Sequence, residues 1–285
     1  VLMSRDMVYD SRTQQESRVV HGIILFKDTS EFHEKEHQEK ERLESAFHKA
    51  DLASKAKTEF LNRMSHDIRT PINGIMGMLE IMRRAEEDPE KSRECMEKIQ
   101  ISAGHLLELV NDVLDMSKIE ADQIELPREP FNLVELMQEV RALVDAQLTE
   151  TGIEHRISRG HMVHTSLIGS PLQLRQIMVN LFSNAIKYNK EGGSIETYAG
   201  ELSCDGKIVY YEFIITDTGV GMSREFVEEH LFKPFTQEQS DARTQYKGTG
   251  LGMSIVQGLI QKMHGSVQVE SELGKGTKIT CQIPF

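Results

Sequence analysis

The residues able to do chemistry fall in separate stretches of the chain. In Phe60-Leu61-Asn62-Arg63-Met64-Ser65-His66-Asp67-Ile68-Arg69-Thr70-Pro71-Ile72-Asn73, a histidine is followed by a carboxylate and, one helical turn on, by Thr70 and Pro71. A neutral imidazole is a nucleophile, and a carboxylate beside it can hold the proton on the other ring nitrogen. A solvated helix histidine is the other reading of His66, one of 11 histidines in the chain. Asn180 and Asn184 lie one turn apart beside an apolar stripe, where buried amides need partners. An oxygen-coordinated cation with phosphates would supply them, and a pair of core or cap asparagines is the alternative. Asp217-Thr218-Gly219-Val220-Gly221 follows a predicted strand. Its carboxylate can accept from an exocyclic amine, its glycines let a ring approach the backbone, and the same residues also suit a plain turn. Lys247-Gly248-Thr249-Gly250-Leu251-Gly252 opens a helix, where backbone amides bind phosphate. It is neither a P-loop nor a dinucleotide fingerprint. Gly274-Lys275-Gly276-Thr277 is a further glycine turn, in the last hairpin.

The elements that must position these groups follow from periodicity. Glu31 to about Arg84 reads as one long helix, charged and weakly patterned as far as Arg42. From Leu43 the apolar residues recur at steps of three and four (Ala46, Ala50, Ala53, Phe60, Met64, then Ile68, Ile72, Ile75, Leu79, Met82), a bundle seam. Met64 to Ile68 adds an extra four-residue step, a stutter that rotates the exposed face at His66, and Pro71 removes a backbone hydrogen bond and predicts a kink. Glu86-Glu87-Asp88-Pro89 ends the helix. A second follows with Ile99, Ala103, Leu106, Val110 and Val113 on its seam, making an antiparallel hairpin. A hairpin buries one stripe only, so pairing with a second copy into a four-helix bundle, hence a homodimer, is expected.

Pro127 to Pro130 marks a boundary. Beyond it the pattern predicts a helix from Asn132 to about Glu150 and a strand over Ile153–Ser158. Next come a helix opened by Ser170-Pro171, a hairpin around Asp205-Gly206, a helix over Gly252–His264, and a closing hairpin of Ser266–Ser271 with Thr277–Ile283. The fold class is therefore α+β, a helical hairpin followed by a two-layer α/β sandwich. The expected organisation is 1–30, the end of a preceding domain; 31–56, a helical linker; 57–126, the hairpin; and 127–285, the sandwich.

The net charge of −12 over 285 residues argues against a general nucleic-acid or anionic-membrane binder. No apolar run approaches a membrane span, so no membrane contact is expected within these residues, although an anchor upstream is compatible with them. The chain begins with Val, as expected of a piece of a longer protein. Cys95, Cys204 and Cys281 have no metal-ligand spacing and read as reduced core thiols, which suggests a cytoplasmic setting.

Taken in order, these stretches resemble the sensor histidine kinases of two-component signalling, from about Leu43 to Phe285. Phe60 to Asn73 resembles that family's H box, and Asn180 to Tyr188 its N box. Asp217 to Gly221, Phe232-Lys233-Pro234-Phe235, Gly248 to Gly252 and Gly274 to Thr277 resemble its G1, F, G2 and G3 boxes. His-Asp-Ile-Arg-Thr-Pro most resembles the hybrid kinases, and Gly22 to Glu31 resembles the exit strand of a PAS sensor domain.

The resemblance implies an ATP-binding domain of the histidine kinase and chaperone ATPase type. It implies transfer of the γ-phosphoryl group to His66, and then to an aspartate of a response-regulator receiver, in cis or in trans. Asp67 would fix the tautomer; the family often has Glu there. Thr70 matches a position used to orient water in dephosphorylation. Asn184 would coordinate Mg²⁺ with support from Asn180, and Lys187 and Tyr188 would line the nucleotide. Asp217, with Gly219 and Gly221, would hold the adenine. Gly248, Thr249, Gly250, Leu251 and Gly252 would take the phosphates, with Thr277 in the last turn beside them. Phe235 would anchor a mobile lid that carries Arg243 towards the γ-phosphate. Lys247 stands where relatives often have glycine. A related ATPase without a phosphoacceptor and a catalytically inactive dimeric scaffold are the competing classes.

Overall fold

The computed structural model describes residues 2–3, 24–25, 30–84, 88–238 and 249–285. The chain divides into two compact units, Val1–Arg63 and Met64–Phe285. In the first, β1 (Leu2–Met3) pairs antiparallel with β2 (Ile24–Leu25). Of the stretch likened to a PAS exit, residues 22, 23 and 26–29 lie outside the described residues, and Ser30 and Glu31 already belong to the helix that follows.

Helix α1 runs Ser30–Arg84 and continues through Pro71. Proline has no N–H to give the carbonyl of Asp67, so the helix loses one bond just after His66 and is carried by its neighbours. Asp88 stops the connection and starts α2 (Pro89–Glu120), its side chain accepting from Lys91 N at 3.1 Å, with proline at the first turn where no donor is needed. The hairpin thus forms where the Asp-Pro signal places it. Many of its apolar residues remain uncovered in the single chain, including Ile72, Met76, Leu79, Ile101, Leu107 and Leu114. Among the described residues no helix is long and apolar enough to cross a membrane.

After α2 the chain forms β3 (Glu129–Asn132), α3 (Leu133–Thr151), β4 (Glu154–Arg159), β5 (Ser166–Gly169) and α4 (Pro171–Lys187). Then come β6 (Ser194–Cys204), β7 (Val209–Asp217), the short α5 (Arg224–Glu229), α6 (Gly252–Lys262), β8 (Ser266–Glu272) and β9 (Gly276–Pro284). Asn132 caps α3 by accepting from Val134 N and Glu135 N, as its residue type and place suggest. The main sheet has the order β4-β6-β7-β9-β8, antiparallel except for β4 with β6. Along β7, Val209, Tyr211, Phe213 and Ile215 are buried in alternation. They face the apolar stripes of α3, α4 and α6, including Val140, Leu174, Ile177, Leu181, Ile255 and Leu259, in one core. This is the expected two-layer sandwich.

Two features were not expected. β3 and β5 pair in a separate small antiparallel sheet, Phe131 opposite Leu167. Proline near β3 reads as punctuation, yet an edge strand tolerates it. The second concerns α2: Val113, assigned to the hairpin seam, packs with Met116 and Ile119 against the core of the sandwich. Gly258 on α6 makes room, since a Cβ there would stand 2.8 Å from Ile119 Cγ2. Lys262 of α6 forms an ion pair with Asp122 just beyond α2.

Candidate active site

On α1, His66 Nδ1 lies 3.1 Å from Asp67 Oδ1, with the imidazole 69% exposed. With the proton on Nδ1, the carboxylate accepts it and the Nε2 lone pair points to solvent. Thr70 Oγ1 donates to the His66 carbonyl at 3.1 Å. The three predicted residues therefore stand together, and the nitrogen that can attack is accessible.

The other predicted residues gather along one edge of the sandwich. Asp217 ends β7, half-buried, and its Oδ1 accepts from Gly219 N (2.8 Å) and Thr277 N (3.2 Å). Burial pushes this carboxyl above its usual range, opposed by those two N–H donors. Both donors fall on Oδ1, so Oδ2 keeps acceptor capacity for an amine. The glycines around it are demanded by space. A Cβ on Gly219 would stand 2.3 Å from the Tyr188 carbonyl oxygen, and one on Gly276 would stand 2.0 Å from the Asp217 carbonyl oxygen. Gly221 has a positive φ of 65° and backs onto Glu272. Val220 N donates to Tyr188 O at 3.0 Å, joining this turn to the end of α4.

Asn180, Asn184 and Lys187 project from α4, and Tyr188 is its C-cap. Asn180 Nδ2 is buried and has no hydrogen-bond partner among the described residues. A buried unpaired amide is costly, and a phosphate oxygen is the kind of group that would satisfy it. Asn184 Nδ2 lies 3.7 Å from where a Gly252 Cβ would be, so the asparagine faces the start of α6. Lys187 sits 5.1 Å above the Tyr188 ring; burial lowers its pKa while Glu108 raises it. Burial also raises the Tyr188 phenol.

Helix α6 begins without a side-chain cap among the described residues, and Leu251 N just before it donates to Thr249 Oγ1 at 3.2 Å. Gly250 has φ of 70°, and its carbonyl accepts from Phe235 N at 2.9 Å. Phe235 itself takes a positive φ of 64°, so the proposed lid anchor is locked to the glycine loop by backbone. Arg243, Lys247 and Gly248 lie outside the described residues. Among the described residues, His66 makes no side-chain hydrogen bond or ion pair with this edge.

The structure adds residues that motif reading missed. Thr249 Oγ1 donates to Asp112 Oδ2 at 2.8 Å, and Gln176 Nε2 donates to Asp115 Oδ2 at 2.6 Å. Glu108, Asp112 and Asp115 are spaced by four and three on α2, a one-face acidic stripe that the sequence displays but that reads as a solvated helix surface.

The donors present fit a nucleotide triphosphate with a divalent cation. They comprise an orphaned buried amide, uncapped helix amides, a lysine, and a buried carboxylate with a free oxygen. Residues 169–285 match the family described as "Histidine kinase-, DNA gyrase B-, and HSP90-like ATPase". Residues 56–122 match the "His Kinase A (phospho-acceptor) domain". Fold and site thus define a nucleotide-binding domain of that ATPase class, joined to a phosphoacceptor hairpin.

Among similar proteins, histidine protein kinase DivJ of Caulobacter vibrioides is 38% identical over 82% of this chain and 38% of its own length. Sensor histidine kinase GacS of Pseudomonas protegens is 37% identical over 81% of this chain and 25% of its own. The crystal structure of full-length ShkA in complex with AMPPNP superposes with a TM-score of 0.57 at 31% identity, covering 79% of this chain and 45% of that one. The chain belongs to the two-component histidine kinases, of which it carries a catalytic core, and it spans well under half the length of these curated relatives.

Proposed function

We propose that this chain autophosphorylates His66 from ATP and passes the phosphoryl group to an aspartate of a receiver domain. The observation that carries the reading is the exposed His66 with its Nδ1 held at 3.1 Å by Asp67, in the same chain as a fitted nucleotide edge. Asp67 keeps the Nδ1 proton in place, so Nε2 attacks, and the carboxylate stabilises the positive charge that develops on the ring. Asp217 Oδ2 accepts from the adenine amine, and the Tyr188 ring borders the base. Lys187, Asn180 and the amides of Gly250 to Gly252 hold the phosphates in line. Mg²⁺, when bound, neutralises phosphate charge, with Asn184 as its side-chain ligand. Gly248 belongs with the amides that take the phosphates, and Arg243 answers the charge of the γ-phosphate.

The organisation that goes with this reading is 57–126 as the dimerising phosphotransfer hairpin and 127–285 as the ATP domain. Residues 31–56 form the linker, and 1–30 the end of a PAS-like sensor. The uncovered apolar residues of the hairpin support a homodimer. The structure of the histidine kinase ThkA with response regulator protein TrrA, 23% identical with a TM-score of 0.59, shares the fold. A receiver partner for this chain is part of the proposal, in cis if the whole protein is a hybrid. Thr70, whose hydroxyl donates to the His66 carbonyl, is the residue that would orient water if the chain also dephosphorylates its partner.

The test is incubation with γ-labelled ATP and Mg²⁺, followed by acid and alkali treatment. Label that survives alkali, is lost in acid and disappears in His66→Gln is the expected result. Nucleotide binding without any label would support the scaffold reading, and ATP hydrolysis unchanged by His66→Gln would support an ATPase of another kind.

A further inference from the structure

The hairpin β6–β7 carries an irregularity far from the nucleotide edge. Glu201 pairs with Tyr211, but Ser203 pairs with Tyr210 and Cys204 with Val209. Two steps along β6 match one along β7, so Leu202 is the extra residue of a β-bulge. In an unbroken strand, residues three apart point to opposite faces. The bulge resets that alternation, and Glu201 and Cys204 share the face of their partners Tyr211 and Val209.

The loop between β4 and β5 brings a histidine to that face. Val163 N and His164 N both donate to Glu201 Oε2, at 3.0 and 3.1 Å, and Tyr211 Oη donates to His164 O at 2.8 Å. His164 Nδ1 then lies 3.0 Å from Glu201 Oε1. The imidazole nitrogen, the carboxylate oxygen and Cys204 Sγ all fall within 4.8 Å of one another. We infer that His164, Glu201 and Cys204 form a second ion site, for a divalent metal of the zinc class.

A tetrahedral ion with bonds of about 2.0–2.1 Å to nitrogen and oxygen needs those donors about 3.3 Å apart, close to the spacing found. Sulfur in the set selects zinc or cobalt over magnesium, so this site is chemically separate from the nucleotide's cation. The hydrogen bonds from Val163 N and His164 N to Oε2, and the His164 ring against Oε1, fix the Glu201 carboxyl beside the loop. Binding through Nδ1 leaves the neutral His164 ring with its proton on Nε2, and the Cys204 thiol proton is released to water. A fourth position is left for water or an incoming donor. Glu201 and Cys204 stand six and nine residues along β6 from Ile195, the partner of Asp217, which is roughly 20 and 30 Å away.

A plain latch, Glu201 fastening the loop, accounts for Glu201 and His164 but gives no role to Cys204 on the same face. Cys204, expected in the core, is exposed because it stands at the turn end of the hairpin, and its sulfur accepts a hydrogen bond from Gly206 N at 3.4 Å. Cys204→Ser keeps the latch and removes the metal ligand, which separates the two readings.

The experiment is titration of the chelator-treated, reduced full chain with Co²⁺, followed by displacement with Zn²⁺. The expected result is one Co²⁺ per chain with a thiolate-to-cobalt charge-transfer band. Zn²⁺ removes the band and excess Mg²⁺ does not. Zn²⁺ also raises the melting temperature. Losing an outer-shell partner costs about 10–100-fold in metal affinity, so Cys204→Ser and His164→Ala are expected to weaken binding at least that much and to lose the band. No band in the natural chain, or a band that persists in Cys204→Ser while that variant still binds an ATP analogue, overturns the site.

Discussion

Thr249 at the mouth of the glycine loop donates to Asp112 of α2 across 2.8 Å, and the contact holds that carboxyl in a partly desolvated place. Burial pushes the Asp112 pKa up to about 6, the Thr249 hydrogen bond opposes this, and Glu108 and Asp115 raise it further. The folded chain therefore holds this proton over a range where the unfolded chain, with a value near 3.8, has lost it. Fewer protons in the unfolded state mean that the Asp112 contribution to stability falls between about pH 4 and about pH 6 and stays low above that. Asp112→Asn keeps an acceptor for Thr249 and cannot ionise. It is expected to melt higher than the natural chain at pH 8, with the difference vanishing below about pH 4, in scans across that range. An equal or lower melting temperature at pH 8 would refute the burial account.

Asn180 presents an opposite balance of stability and binding. Its buried Nδ2 has no partner among the described residues, and such a group costs about 1–3 kcal/mol. Asn180→Leu removes the polar group at similar volume. Melting in the absence of nucleotide is expected to be unchanged or higher, while the affinity for an ATP analogue with Mg²⁺ falls. Loss of stability with full affinity would mean that the amide serves the fold alone.

Two glycines separate conformational demand from spatial demand. Gly152 caps α3 with φ of 66° and nothing near its missing Cβ. Gly152→Ala is expected to cost about 1 kcal/mol of stability and leave nucleotide affinity intact. At Gly219 the new Cβ would collide with Tyr188 O at 2.3 Å and stand 2.8 Å from Asp217 Oδ1. Gly219→Ala is expected to reduce nucleotide affinity as well, measured by fluorescence of a nucleotide analogue.

Met76 and Leu79 are 61% and 47% exposed in the single chain, on the helix that carries His66. Replacing both with Glu is expected to shift the chain from dimer to monomer in sedimentation, with nucleotide affinity unchanged, because neither residue lies at the nucleotide edge. A monomer before substitution would refute the dimeric reading.

The sequence by itself determined every element whose signal is local. The Asp88-Pro89 stop, the Asn132 cap, the hairpin turn at Asp205-Gly206 and the alternation along β7 are set by backbone preferences and apolar period, which act over a few neighbours. The grouping of Asn184 with Gly252 and of Asp217 with Thr277 was legible only through the order of several motifs, since no single one specifies it. Only the tertiary structure decided what depends on packing between distant segments. The β3–β5 pairing was hidden because Pro130 reads as a breaker until an edge strand accepts it. The docking of Val113 and Asp112 on the ATP domain was hidden because one helix face offers the same period to any apolar partner. The meeting of His164 with Cys204 was hidden most completely. A bulge changes which face a side chain takes, and that shift is recorded in the register between two strands, not in the residues of either one.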